Sequence, residues 1–266
     1  MEQDQVAASV NLVARFLAKE DVPSLDTCSP VDCVVICVSA VFTQAERLFH
    51  ALEQRPNLTR ALVLVGGIGH STQHVYDAVA QHEEYRASAQ DVEGLSESRV
   101  MEVILRRYFD ISRITSEGCN ILIEDRSTNC GSNAIETRKV LEASCIPHPA
   151  TCIIIQDPTM VMRTIASFGK AYDDVPNPPR FLGCPIFVPR MREVAGELQY
   201  DQPEVRDADL WPRQRFYELL VGEIPRLRDD THGYGPRGKG FITHVGVPRE
   251  VEEAWERINQ TFGVSR

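Results

Sequence analysis

Residues 61–72 read Ala61-Leu62-Val63-Leu64-Val65-Gly66-Gly67-Ile68-Gly69-His70-Ser71-Thr72. Five consecutive aliphatic residues, apolar on both alternating sets of positions, are the pattern of a parallel strand covered on both faces. The glycines end that strand in a tight turn, and Ser71 or Thr72 can cap the helix that starts there. Four further short apolar runs, at 33–38, 120–124, 151–156 and 185–188, have the same character. Between them lie helical spacings. Val100, Ile104 and Tyr108 recur over 96–109, Ala134 and Leu141 over 132–143, and Met162, Ile165, Ala166 and Phe168 over 158–170. Strands alternating with helices predict right-handed crossovers and an α/β fold, a Rossmann-like, doubly wound and mainly parallel sheet.

Outside this alternation, Val10, Val13, Ala14 and Leu17 predict an amphipathic helix over 5–19, and 173–179 reads as a proline-rich surface loop. Two helices are expected in the tail. One spans 211–221, with Pro212 in its first turn and Gly222 as its stop; the other spans 248–262, with Val251, Trp255, Ile258 and Phe262 on one stripe. Trp255 in that stripe reads as core. The expected organisation is a Rossmann-like domain with its N-terminal helix over 1–190 and an α-rich cap on the sheet over 191–266.

The chain of 266 residues is 43% hydrophobic and 25% charged, with a net charge of −10 and no basic run. Long-range attraction to nucleic acid or to an anionic membrane is therefore disfavoured, and a small-molecule partner is expected. The polar start, Met1 to Gln5, does not resemble a secretory signal. The longest apolar stretch, 33–42, is far short of the roughly 20 residues that span a bilayer. Eight cysteines, at 28, 33, 37, 119, 130, 145, 152 and 184, show no CxxC spacing. Free thiols in a reducing, cytoplasmic setting fit better than disulfides or a zinc site.

Doubly wound sheets bind ligands beyond the carboxyl ends of their strands, so the residues after each run are the candidates. After the second run, Gly66, Gly67 and Gly69 let the backbone approach a ligand, with His70 and Ser71 beside them; a glycine-rich turn with a hydroxyl cap explains the same residues. After the third come Glu124, Asp125, Ser127, Thr128, Asn129 and Asn133, donors and acceptors suited to a ribose or an amino-acid head group, of which helix capping accounts for one. After the fourth, Gln156, Asp157 and Met160 precede Arg163. Asp157-Pro158 reads as a helix N-cap with proline at the first helical position. Arg163, near a helix start, gains nothing from the macrodipole and needs an anion or a carboxylate such as Glu97 or Glu124. Glu97, at the start of its own helix, is explained by the dipole alone. Arg228, Asp229, Tyr234 and Arg237 belong to a loop that is either a lid or a surface segment locked by Arg–Asp pairs.

Taken together, these stretches resemble the YdcF-like branch of the SanA/ElyC/YdcF family. The residues that carry the resemblance are Asp32 to Val35, Gly66 to Thr72, Glu97, Ile123 to Asp125 with Ser127 to Gly131 and Asn133-Ala134, Gln156 to Met160 with Arg163-Thr164, and Pro225 to Asp230 with Gly233 to Gly238. The resemblance runs from about residue 30 to residue 245. It implies a Rossmann-like sheet with a smaller helical C-terminal part, and S-adenosyl-L-methionine as ligand without an assigned reaction. By analogy Gly66, Gly67, Glu97, Glu124, Ser127, Asn129, Asn133, Gln156, Asp157 and Arg163 line the site. Where the family tends to have glycine or asparagine after the first strand, this chain has Val38-Ser39-Ala40, whose Cβ atoms narrow the pocket or shift the ligand. SanA-like members carry a membrane anchor; none is expected from these residues, so the resemblance is not taken to imply an envelope role.

Three functions are weighed. An S-adenosylmethionine or related nucleoside site could support methyl transfer, which needs little beyond an aligned acceptor. A hydrolase or transferase of phosphorylated or pyrophosphorylated small molecules would clamp phosphate with Arg163 and draw its base or metal ligand from Glu97, Glu124 or Asp157. A non-catalytic interaction protein would use the same polar cluster only to hold loops. No HExxH, Cys/His cluster or GxSxG is present, so no dedicated zinc site and no α/β-hydrolase is expected.

Overall fold

The computed structural model describes residues 2–144 and 146–263. In chain order the elements are α1 (Glu2–Ala18), β1 (Val31–Cys37), α2 (Thr43–Gln54), β2 (Thr59–Val65), α3 (Thr72–Gln81), α4 (Ala89–Val92), α5 (Glu97–Tyr108) and α6 (Ile111–Ile114). There follow β3 (Asn120–Glu124), α7 (Cys130–Glu142), β4 (Thr151–Ile155), α8 (Val161–Ala171), β5 (Arg180–Gly183), β6 (Met191–Val194), β7 (Glu197–Tyr200), α9 (Arg213–Leu227) and α10 (Arg249–Phe262). Strands β1 to β5 form one sheet in the order β3-β2-β1-β4-β5, and every pair is parallel.

The apolar runs are continuous because both sheet faces are covered. Val34, Ile36, Leu62, Leu64, Ile153 and Ile155 face α2, α3 and α5, whereas Val35, Val63, Val65, Cys152 and Ile154 face α7 and α8. The winding reverses between β3 and β4, so β1 and β4 lie side by side with their following helices on opposite faces. That reversal opens a crevice at the carboxyl ends of β1 and β4.

A second core joins α1, α9 and α10, with Leu17, Phe216, Leu220, Ala254 and Ile258 buried in it. Helix α1 thus packs with the C-terminal helices although chain order groups it with the sheet. Helix α8 joins the two cores, Phe168 facing the sheet and Ala166 facing α1. Trp255 is held by an Nε1 bond to the Val221 carbonyl (2.9 Å) beneath the Arg228 guanidinium.

Several boundaries differ from the sequence expectation. The fifth strand is Arg180–Gly183, not 185–188. Pro185 offers no N–H to a ladder and Ile186 takes a left-handed φ of 72°, so the chain leaves the sheet and Phe187 enters the second core. Helix α9 does not stop at Gly222 but continues through Pro225 to Leu227. Proline removes the bond to the carbonyl four residues back, and that carbonyl, Val221 O, is the one Trp255 Nε1 occupies. Trp211 lies outside α9, with Pro212 at its N-cap. Helix α8 begins at Val161, after a turn containing Pro158, rather than at the proline itself. The tail also holds the antiparallel pair β6–β7, turned by Ala195 and Gly196 at φ 52° and 88°. That two-residue turn geometry is one that alanine seldom signals.

Candidate functional site

The carboxyl ends of β1, β2, β3 and β4 surround a cavity of about 630 Å³. Its inner wall carries Gly67, Gly69, Ser71, Glu97, Ser127, Thr128, Asn129, Asn133, Gln156, Asp157 and Met160, so three loops distant in sequence do converge. Val38, Ser39 and Ala40 line it too, with their Cβ atoms in the wall.

Much of the glycine loop is shaped by the protein around it. Gly66 sits at φ 152°, and a Cβ on Gly67 would stand 1.9 Å from the Ser127 carbonyl oxygen. The Gly67 N–H donates to Ser127 Oγ (3.1 Å), while Gly66 and Gly67 carbonyls accept from the Ser98 and Glu97 N–H groups. Ser71 makes no side-chain cap of α3. Instead the Ser71 and Thr72 hydroxyls both donate to Glu97 Oε1, each at 3.0 Å. The two hydroxyls of this turn are thus taken by a carboxylate of the chain itself. Burial pushes the Glu97 carboxyl above its ordinary pKa, against the two hydroxyl bonds that favour its charged form.

The other buried carboxylates are saturated. Glu124 Oε1 accepts from the Arg126 and Ser127 N–H groups (2.7 and 2.8 Å), and Oε2 from Ser127 Oγ (2.6 Å), which pins the loop between β3 and α7. Glu124 does not line the cavity. Asp157 Oδ1 accepts from the Thr159 N–H and hydroxyl (3.0 and 2.7 Å); its Oδ2 accepts from Trp211 Nε1 at 2.8 Å and from Ser39 Oγ at 3.4 Å. Burial pushes Asp157 upward as well, opposed by the Thr159 and Trp211 bonds. Asn129 is the N-cap of α7 in a reciprocal box with Ser132, so its place in the wall and its capping role coincide.

Five expected ligand contacts fall outside the cavity wall, Glu124 among them. His70 is exposed and outside the cavity, and Gly66 is buried behind it. Asp125 pairs with Arg99 at 2.9 Å on the surface. Arg163 takes a carboxylate other than Glu97 or Glu124. It makes two bonds to Glu223 of α9, Nε–Oε2 at 2.6 Å and Nη2–Oε1 at 3.1 Å, in a nearly buried pair that also takes Arg226. Of the two alternatives for the loop at 226–238, the structure has the surface segment, tied to itself and to α10. Arg228 pairs with Glu252 (3.0 and 2.6 Å), and Asp229 accepts from the Arg237 backbone and guanidinium and pairs with His244. The Tyr234 N–H donates to the Arg226 carbonyl, and neither Arg228, Asp229, Tyr234 nor Arg237 reaches the cavity.

The outer wall was not anticipated. Phe42 after β1, His74, Asp77 and Ala78 on α3, His82 and Glu83 beyond it, and Arg206, Asp209, Leu210, Trp211, Arg215 and Leu219 complete the enclosure. The α3 residues 74, 77, 78 and 81 share one face at i, i+3, i+4, i+7 spacing, a signal that was legible. The 206–219 segment carried none, since its position depends on the second core. Arg206 bridges Glu83 and Asp209 (2.7 Å each). His82 Nδ1 accepts from the Glu84 and Tyr85 N–H groups, so Nε2 bears the proton given to Glu46 (3.2 Å).

The seven described cysteines are free; Cys145 lies outside the described residues. Cys130 is in the cavity wall with its Sγ 3.2 Å from Thr164 Oγ1, and burial pushes the neighbouring Cys37 thiol well above its ordinary pKa. Among the described residues no group of three His, Cys, Asp or Glu side chains is arranged to hold a metal, and no helix is long and apolar enough to cross a membrane. No family model matches the chain.

Proposed function

We propose that this cavity is a nucleoside site of the YdcF-like type whose ligand is S-adenosyl-L-methionine or a related nucleoside. One observation carries the reading. At the point where the strand order reverses, a single hollow joins an apolar wall of Val38, Val41, Phe42, Leu210 and Trp211 to a polar floor of Glu97, Asn133, Gln156 and Asp157. Its volume is of the size that encloses a drug-sized ligand, roughly 300–1,000 Å³. The aromatic surface suits a purine, and the amides suit a base edge or an amino-acid head group. A phosphate is poorly matched: Arg163 is committed to Glu223, and Glu97 already occupies the glycine turn. With such a ligand bound, methyl transfer to an acceptor against the outer wall requires alignment above all. Free thiols favour a reducing, cytoplasmic setting, and the charge of −10 disfavours nucleic acid as partner. Calorimetry with S-adenosyl-L-methionine tests the reading. Saturable heat that is lost in Trp211→Ala is expected, and no heat at millimolar ligand overturns it.

A further inference from the structure

We infer that Glu97 is the residue that selects the ligand's charge, and that the group it takes is a cation, a sulfonium or ammonium centre. Three observations converge on this.

The first is a difference among buried carboxylates. Glu124, Asp157 and Glu223 have donors on both oxygens. Glu97 is 9% exposed and lines the cavity, yet only its Oε1 is bonded. Oε2 lies beside Gly66, where a Cβ would be 3.0 Å away, and takes no hydrogen bond or ion pair from any described residue. The second is the cost of that arrangement. Burial disfavours the charged form of this carboxyl, and Oε2, not itself sealed from solvent, opens on the cavity, where a ligand can supply the partner that the fold does not. The third is the field. The lining has five carboxylate side chains, Asp77, Glu83, Glu97, Asp157 and Asp209, against two guanidinium groups. Arg206 pairs with Glu83 and Asp209, which leaves Asp77, Glu97 and Asp157 against Arg215. A neutral donor would satisfy the oxygen, but only a cation also offsets the summed negative potential.

The inference rests on reading the cavity as a ligand site, as proposed above, and its test separates the two. The full chain and Glu97→Gln are titrated calorimetrically with S-adenosyl-L-methionine and with S-adenosylhomocysteine, which lacks the sulfonium charge. Glutamine keeps an oxygen for the Ser71 and Thr72 hydroxyls, so the variant retains the local bonds. The wild type is expected to prefer the sulfonium ligand by at least roughly tenfold, about 1.4 kcal/mol, and Glu97→Gln to lose most of that preference. Glu97→Asp keeps the charge and is expected to keep part of the preference; it replaces Glu97→Gln should the latter not fold, and its losing the preference entirely counts against the assignment. Equal affinity of the wild type for both ligands, or a preference that survives in Glu97→Gln, overturns the inference and leaves the nucleoside reading standing. If neither nucleoside binds, that reading falls, and tetramethylammonium decides the rest. A rise in melting temperature over sodium at equal ionic strength, seen in the wild type and absent in Glu97→Gln, retains the cation site; no rise, or the same rise in both, removes it.

Discussion

Arg163 on α8 and Glu223 on α9, sixty positions apart in the chain, form a two-pronged ion pair with Glu223 2% exposed and Arg163 11% exposed. The pair ties the sheet-covering helix to the C-terminal one. An arginine near a helix start, for which the sequence called for an anion or a carboxylate such as Glu97 or Glu124, thus finds its carboxylate in Glu223 and has its charge consumed within the fold.

Removing one member of such a pair leaves the other charge buried. Arg163→Ala is expected to destabilise by about 3 kcal/mol, within the 3–5 seen for broken buried pairs and moderated because Arg226 still touches Glu223. At about 2–4 °C per kcal/mol, the melting temperature falls by roughly 6–12 °C. The double variant Arg163→Met, Glu223→Leu should recover much of that loss, and a double-mutant cycle in thermal unfolding measures it. If Arg163→Ala unfolds like the wild type but loses ligand affinity, the arginine is a ligand contact after all.

Gly67→Ala places a methyl group 1.9 Å from the Ser127 carbonyl, against backbone that cannot rotate away. A loss of about 1–3 kcal/mol or more is expected. Gly246→Ala, with nothing within 4 Å of its added Cβ and no left-handed φ, should be close to neutral. Comparing the two by denaturant unfolding checks the claim; similar midpoints would mean that the two loops are not packed as described.

The same contrast shows what the sequence could reveal. The run 61–65 marked its strand because burial on both faces removes the polar alternation, and that depends only on neighbouring residues. The convergence of 67–71, 127–133 and 156–160 was legible for the same reason, because loops after parallel strands must meet at one edge. The destination of Arg163 was not legible, since Glu223 is brought to it by the packing of α9. Nor was Trp211 as a cavity wall, because its contact with Asp157 depends on where the packing of the second core sets the segment 206–219. His70, one of the candidate contacts, is left in solvent by a turn that directs the two hydroxyls toward Glu97.

Glu97 and Glu124 were equivalent candidates in sequence and should separate in stability. Glu124→Gln replaces one acceptor oxygen by a donor facing N–H and O–H groups, a loss of about 1–3 kcal/mol for the buried group left unmatched. Glu97→Gln keeps its two hydroxyl bonds and removes a carboxylate whose charged form burial disfavours, so the melting temperature near neutral pH should hold or rise. The sign follows from linkage. The Glu97 carboxyl titrates higher in the folded chain than its ordinary 4.5, so the folded state holds a proton that the unfolded chain releases. Its contribution to stability is therefore greatest below the ordinary value and declines as pH rises through the raised one. Thermal unfolding from acid to neutral pH should show that decline flattened in Glu97→Gln; parallel curves for the two proteins would refute it.

Trp211 and Asp157 give the cavity a built-in reporter. The chain has two tryptophans, and Trp255 lies in the second core beneath Arg228, away from the cavity. Trp255→Phe, at the cost of the bond to Val221 and of about 1 kcal/mol, leaves Trp211 as the sole indole. Its Nε1 is held by a buried carboxylate and its ring lines the wall, so ligand entry should change its fluorescence in a saturable way, with the midpoint found by calorimetry. Trp211→Phe removes a hydrogen bond to Asp157, a group whose bonds are worth about 1.5–3 kcal/mol when charged, and should weaken both stability and binding. Calorimetric heat without any change in Trp211 emission would place the bound molecule elsewhere on the protein.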